Sequence, residues 1–501
     1  MAHQGESDVK TRFMILALAL ALIAAGCGTR VKDDTVAMGN GVLGGVQGES
    51  ASRSGGGGFS NTGATASTVA GGDATTPGKP PVEMFGTIEN PCGPATKGPN
   101  KASDKFVTEN EIDVATIADP GGPKPGLNQG MFDSMDAFAT WCNSFGGIHG
   151  RKLKVIQKDA GIVKYKEMVA EACADSFALV GGLGTFDQGG AQDAVDCGLV
   201  NVPGATVSAE ASGADRTFQP LPNLPNAYSV GSGRWVKETF PGVADKASTL
   251  YSKFSITETQ SNKLVEAYEQ LGYKFIYRQS ANINETNWGP LVVSMKNQGV
   301  KYTTLTSSFE EIIPLQKEMA NQNYHPEVTE LEANFYNQKY PEQAVQQGAD
   351  TTGTYVKVTI WPFEEADQKP AMKQYLDILH KTKPEAIPEL LGVQAFSAGL
   401  LFATAAKNLG PDLTRDGLIA ELRKIHAWDA GGLHGVSDPG GLKGSPCIVM
   451  MKVEGAGFKR AYPLPDKDKA VYDAGNGWAC PADGVADLKG DYGKGAKEKA
   501  K

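Results

Sequence analysis

"GLNQGMFDSMDAFATWCNSFGGIHGRKLKVIQKDAG", Gly126 to Gly161, contains one complete change of hydrophobic period. Met131, Met135, Phe138 and Cys142 recur at helical spacing. Gly146 and Gly147 stop that helix, and Lys152–Lys158 reads as a strand. Immediately upstream, "IDVATIAD" (Ile112–Asp119) is a strand as well. Strand, helix and strand in that order form a βαβ unit, whose two strands run parallel.

The alternation continues along the chain. A helix through Tyr165, Met168, Val169 and Ala172 leads to a strand in "FALVGG" (Phe177–Gly182), and after a short helix "GLVNVPGATVS" (Gly198–Ser208) is the next. "KASTLYS", a helix around Leu264, Val265 and Tyr268, "YKFIYR" and "VKYTTLT" repeat the pattern. Later helices carry Ile312, Leu315 and Met319, then Met372, Tyr375 and Leu379, and two more cover 393–409 and 414–426. Such alternation predicts an α/β fold, parallel sheets with helices on both faces. Ligands of such sheets sit beyond the carboxyl ends of the strands. The loop "VGGLGTFDQGGAQ" (Val180–Gln192) occupies that position.

The N-terminus predicts export. Lys10 and Arg12 precede an apolar run, Phe13–Ala25, too short to span a bilayer but suited to a signal sequence. The run ends "LIAAGC", which resembles a bacterial lipobox with Ala24 in place of the usual leucine. Residues 1–26 then form the signal peptide and Cys27 receives lipid; the alternative is an ordinary secretory signal in which Cys27 is incidental. Residues 27–90 read as a Gly/Ser/Thr tether that cannot bury enough surface to order itself. Its end-to-end distance is roughly 40 Å. The end, "KGDYGKGAKEKAK", is expected to fray, and no segment after the signal is expected to be apolar for long enough to cross a membrane.

The remaining body is long enough for two lobes. Its chain carries a formal charge of −9, which argues against a nucleic-acid partner. Apart from Cys27 there are six cysteines, an even number that suggests disulfides in an exported protein. Cys173–Cys197 is the favoured pair, because the two would lie on consecutive helices of one βαβ run. Cys447–Cys480 and Cys92–Cys142 are the pairs left over.

Catalytic signatures fail one by one. Gly182 and Gly184 lack the third glycine of a dinucleotide fingerprint at the required spacing, and no Gly-Lys-Ser/Thr exists for a phosphate loop. "AFSAG" (Ala395–Gly399) has alanine where a nucleophile elbow needs glycine, so Ser397 reads as a helix-packing residue. The histidines, His426 and His434 included, show no zinc spacing, and there is no C-x-x-C. No metal, no cofactor and no catalytic set is expected.

The order of these pieces resembles type I substrate-binding proteins, which serve ABC importers of the branched-chain amino-acid and amide class. The likeness runs through the opening stretch, "LVGGLGT", "VNVPGAT", "ANINETNWGPLVVSMKNQGVKY", "LLGVQAFSAGLLFATAAKNLG" and "GGLHGVSDPGGLKG", from about Ile112 to Pro463. It implies two Rossmann-like lobes joined by three crossing strands: lobe one at 104–230 and 357–442, lobe two at 231–356 and 443–465, with 466–501 as an extension and tail. It also implies a ligand in the interlobe cleft, captured for an ABC permease by a monomeric, lipid-anchored protein outside the cytoplasm. A ligand sensor signalling to a membrane partner is the alternative, and an extracellular hydrolase a third. By the resemblance, Thr185 gives a hydroxyl to a ligand carboxylate, with Phe186 beside it, and Gly204, Ala205 and Thr206 add backbone and hydroxyl contacts. Thr185 as a plain helix cap and Thr206 as a turn residue are the structural alternatives. In lobe two Ile256 and Ser308 stand where relatives carry aromatic residues, with Phe254 or Phe309 able to compensate. Glu332 falls where relatives accept the ligand ammonium, with Asn334 a neighbouring candidate; a surface role for Glu332 is the other reading.

Overall fold

The computed structural model describes residues 83–282 and 284–499, so the signal segment and Cys27 lie outside the described residues. Four strands, β1 (Glu111–Ala118), β2 (Lys152–Asp159), β3 (Ala178–Val180) and β4 (Val200–Val202), form a parallel sheet in the order β2-β1-β3-β4. Helices α1 (Gln129–Ser144), α2 (Tyr165–Asp175) and α3 (Gln188–Asp196) make the crossovers. The positions picked out by period alone, Met131, Met135, Phe138 and Cys142, are all buried on α1.

The second sheet has seven strands: β5 (Ala247–Ser252), β6 (Phe275–Ala281), β7 (Tyr302–Thr306), β8 (Val328–Leu331), β9 (Thr354–Val358), β10 (Val449–Glu454) and β11 (Gly457–Tyr462). Their order is β11-β10-β9-β8-β7-β5-β6, parallel from β6 to β9 and antiparallel for the last two. α4 (Ser255–Gln270) follows β5 and α5 (Phe309–Asn321) follows β7. Each sheet with its helices is one lobe of a two-lobed α/β fold. The chain passes between the sheets three times: between β4 and β5, after β9, and before β10.

A long helix returns to the first lobe after the second passage. This helix, α6 (Leu390–Leu409), is by length and hydropathy able to cross a membrane, contrary to the expectation that no later segment qualifies. Its most apolar window is 83% buried, which makes it the core helix of the lobe. It packs on α1 through Phe396, whose ring meets Phe138 edge-on at 5.3 Å and Tyr375 at 5.3 Å. Gly399 lets the helices approach: a Cβ there would lie 2.6 Å from the Phe138 ring.

The six cysteines form Cys92–Cys142, Cys173–Cys197 and Cys447–Cys480. The first ties the segment before β1 to α1, the second joins α2 to the end of α3, and the third joins the approach to β10 to the C-terminal segment.

Two expectations of disorder are corrected. The end of the supposed tether is packed: Phe85 is buried with its ring 5.4 Å from Phe396, and Thr87 N–H donates to the Gly431 carbonyl. Up to Lys499 the C-terminal segment is held as well. Strand Val485–Asp487 pairs with Ala227–Ser229, Tyr492 donates to Glu266 of the second lobe at 2.6 Å, and Lys497 and Lys499 pair with Asp215 and Asp196 of the first. Composition shows that such a segment cannot make its own core, but not that backbone pairing and carboxylates on the body will hold it.

Candidate functional site

In the first sheet the strand order reverses between β1 and β3, and in the second between β5 and β7. Loops leaving the carboxyl ends of strands at such switch points form the ligand crevice of an open α/β sheet. The four loops confront each other. Phe186, after β3, meets Phe254, after β5, with centroids 6.0 Å apart and rings inclined at 71°. Lys124, after β1, donates to Ser308 Oγ, after β7, at 3.1 Å. Beside them Gln260 on α4 donates to the Val207 carbonyl, and Asn337 donates to Glu389 at the start of α6. The lobes therefore touch across the cleft.

The glycine-rich loop after β3 is shaped by close approach. Gly181 has φ +72°, a left-handed conformation, and a Cβ on Gly184 would run into the ring of Tyr165. Thr185, which follows, gives both donors to a residue that sequence reasoning did not single out: its N–H and its hydroxyl reach Asp119 Oδ2 at 2.6 and 2.8 Å. Ile162 N–H takes Asp119 Oδ1 at 2.8 Å, and Asp119 is fully buried. The hydroxyl expected on a ligand carboxylate is thus on an internal one.

A second internal carboxylate sits alongside. Asp187 accepts from the N–H groups of Val207 and Ser208 at 2.8 and 2.9 Å, joining the loop after β3 to the loop after β4. Burial pushes its carboxyl up to about 6 despite those bonds. In the same loop Gly204 packs against α6, where a Cβ would lie 3.1 Å from Ala395 N, and Ala205 is half-buried. Thr206 is buried and donates to Gln219, a structural contact.

In the second lobe Ile256 is half-buried in the first turn of α4, and Phe254, just before that helix, is exposed. Ser308 precedes α5 with no capping bond, which leaves its hydroxyl for Lys124, and Phe309 beside it is half-buried. Glu332, after β8, is held by two partners absent from the sequence reading: Tyr228 donates to Oε1 at 2.6 Å, and the buried Lys357 lies 2.8 Å from Oε2. Asn334 is exposed and donates to the Ser307 carbonyl.

Ser397, which the sequence gives as a helix-packing residue, is also hydrogen-bonded on the buried side of α6. Its hydroxyl lies 2.9 Å from His434 Nε2. His434 Nδ1 donates to the Gly435 carbonyl at 2.9 Å, so Nε2 accepts the serine proton. Trp428 Nε1 donates to the same hydroxyl at 3.0 Å. Burial lowers the His434 pKa, no carboxylate orients the ring, and Ser397 and His434 are 0% and 1% exposed. This is a satisfied polar network inside the core, closed to substrate. Among the described residues no group of three or more His, Cys, Asp or Glu side chains is arranged to hold a metal ion.

The sequence profile of the periplasmic binding protein family matches residues 111–458, and the chain belongs to that family. Its fold is that of the type I periplasmic binding proteins of ABC transporters. A fatty acid ABC transporter substrate-binding protein from Thermomonospora curvata superimposes with a TM-score of 0.62 at 17% identity, covering 74% of this chain and 95% of that one. A leucine binding protein from Thermotoga maritima gives 0.57 at 13% identity, covering 71% and 99%. An ABC transporter solute binding protein from R. palustris, in complex with 4-hydroxybenzoate, gives 0.57 at 13%, covering 70% and 95%. No curated protein sequence matches the chain.

Proposed function

We propose that this protein is an extracytoplasmic solute-binding lipoprotein. It captures a small polar solute, an amino acid, an amide or a related carboxylate, between its lobes and delivers it unaltered to an ABC permease. One observation carries the reading: the switch-point loops of two α/β lobes meet face to face through Phe186–Phe254 and Lys124–Ser308. Sites between domains are favoured for small ligands, and three chain passages suit closure about a hinge. The buried Ser397–His434 pair has no access to a substrate, which supports a carrier over a hydrolase.

A bound solute raises the melting temperature, because it binds the folded chain and not the unfolded one; at a hundred times Kd the gain is about 2.7 kcal/mol. A thermal-shift screen of amino acids, amides, polyols and small carboxylates measures it, and a screen with no responding solute counts against the reading. The anchor has its own test. Cys27→Ser moves the protein from the membrane fraction to the soluble fraction, whereas retention at the membrane would rule out lipid on Cys27 as the tether.

A further inference from the structure

Lobe one has two places where backbone N–H groups and a hydroxyl converge on a negative charge, and both hold the chain's own carboxylates. Asp119 takes both donors of Thr185 together with Ile162 N–H, and Asp187 takes Val207 N–H and Ser208 N–H. Both acids are at most 2% exposed. In lobe two the carboxylate of Glu332 is occupied by Lys357 and Tyr228. The dipolar head of a free amino acid would need an unoccupied donor set for its carboxylate and an unoccupied acid for its ammonium. Here Thr185 and Glu332 are both engaged.

Lys124 is in a different position. Its ammonium crosses the cleft to Ser308 Oγ, a neutral partner, and among the described residues it forms no ion pair. A cation whose only partner is a hydroxyl gains a charge-assisted bond when a carboxylate arrives, and Ser308 can donate to the same anion. Apolar side chains meet across the same cleft: Phe186 and Phe254 face each other, and the half-buried Phe309 directly follows Ser308.

We infer that the solute is a monocarboxylate without an ammonium group, its carboxylate held by Lys124 and Ser308 and its apolar body lying against Phe186 and Phe254. This rests on the carrier reading and narrows it.

The test uses matched sets on the full chain: hexanoate, hexanamide and norleucine, and benzoate, benzamide and phenylalanine, with affinity read by calorimetry. In at least one set the carboxylate binds about tenfold or more tighter than both its amide and its amino acid, as expected where a charged partner is matched. Lys124→Met removes about that preference and leaves the ligand-free melting temperature unchanged, while Lys124→Arg keeps most of it. An amide or amino acid that binds as tightly as the carboxylate, a Lys124→Met variant with undiminished preference, or no binding by either carboxylate overturns the inference. Failure of the carrier reading looks different: the solute is recovered from the protein chemically altered.

Discussion

Arg460→Met destabilises the protein by about 3–5 kcal/mol, the usual cost of removing one partner of a buried ion pair. Arg460, on β11, grips Glu365 with Nε at 2.9 Å from both carboxylate oxygens and Nη2 at 2.7 Å from Oε2. Its remaining nitrogen donates to the Gly477 carbonyl at 2.9 Å, and the guanidinium lies 5.0 Å from the Trp361 ring centre. The two side chains are 4% and 17% exposed, so water cannot replace the lost cation around Glu365. Glu365 follows the second passage between the lobes, and the pair fastens that passage to the edge of the seven-stranded sheet. Urea unfolding measures the loss. Replacing both residues, Arg460→Met with Glu365→Leu, recovers most of it, because no buried charge then stands alone. Equal losses in the single and double variants would mean that packing, not charge, holds the passage.

The second large effect depends on pH. Burial raises the Asp187 carboxyl from its usual 3.8 to about 6, so the folded chain holds a proton that the unfolded chain has released. For a raised folded value the stabilising contribution is complete below 3.8 and is lost as pH rises through about 6. The shift of about two units corresponds to about 3 kcal/mol. Asp187→Asn has no such titration. The stability of the wild type relative to Asp187→Asn therefore falls by about 2.4 kcal/mol between pH 4 and pH 7 and is flat above that. Urea unfolding of both proteins across this range measures the difference, and a difference independent of pH would place Asp187 in contact with water.

The alternation of periods was enough to read the first βαβ unit, since the mostly buried β1, the half-exposed edge strand β2 and a helix ended by Gly146 and Gly147 depend on local sequence. Strands β10 and β11 were harder. Their sequence, "VMMKVE" followed by "GFKRAY", lacks the helix that would mark another βα repeat, and the antiparallel pairing of β10 with β9, on which the β10–β11 hairpin hangs, is a long-range choice. α6 shows a related ambiguity: an apolar helix of twenty residues has the same composition in a core as in a bilayer, and only burial separates them. Around the cleft, Thr185, Phe186, Phe254 and Ser308 could be named through the family resemblance. Asp119, Lys124 and Lys357 could not, because their significance comes from Thr185, Ser308 and Glu332, between 25 and 184 residues away.

The central claim is that an intact solute is held between the lobes by the switch-point loops. A crystal structure with the solute that raises the melting temperature most tests it directly. The account predicts density for the unaltered molecule enclosed by the loops that carry Lys124, Phe186, Phe254 and Ser308. Density on an outer surface, or for a cleaved or modified molecule, would contradict it.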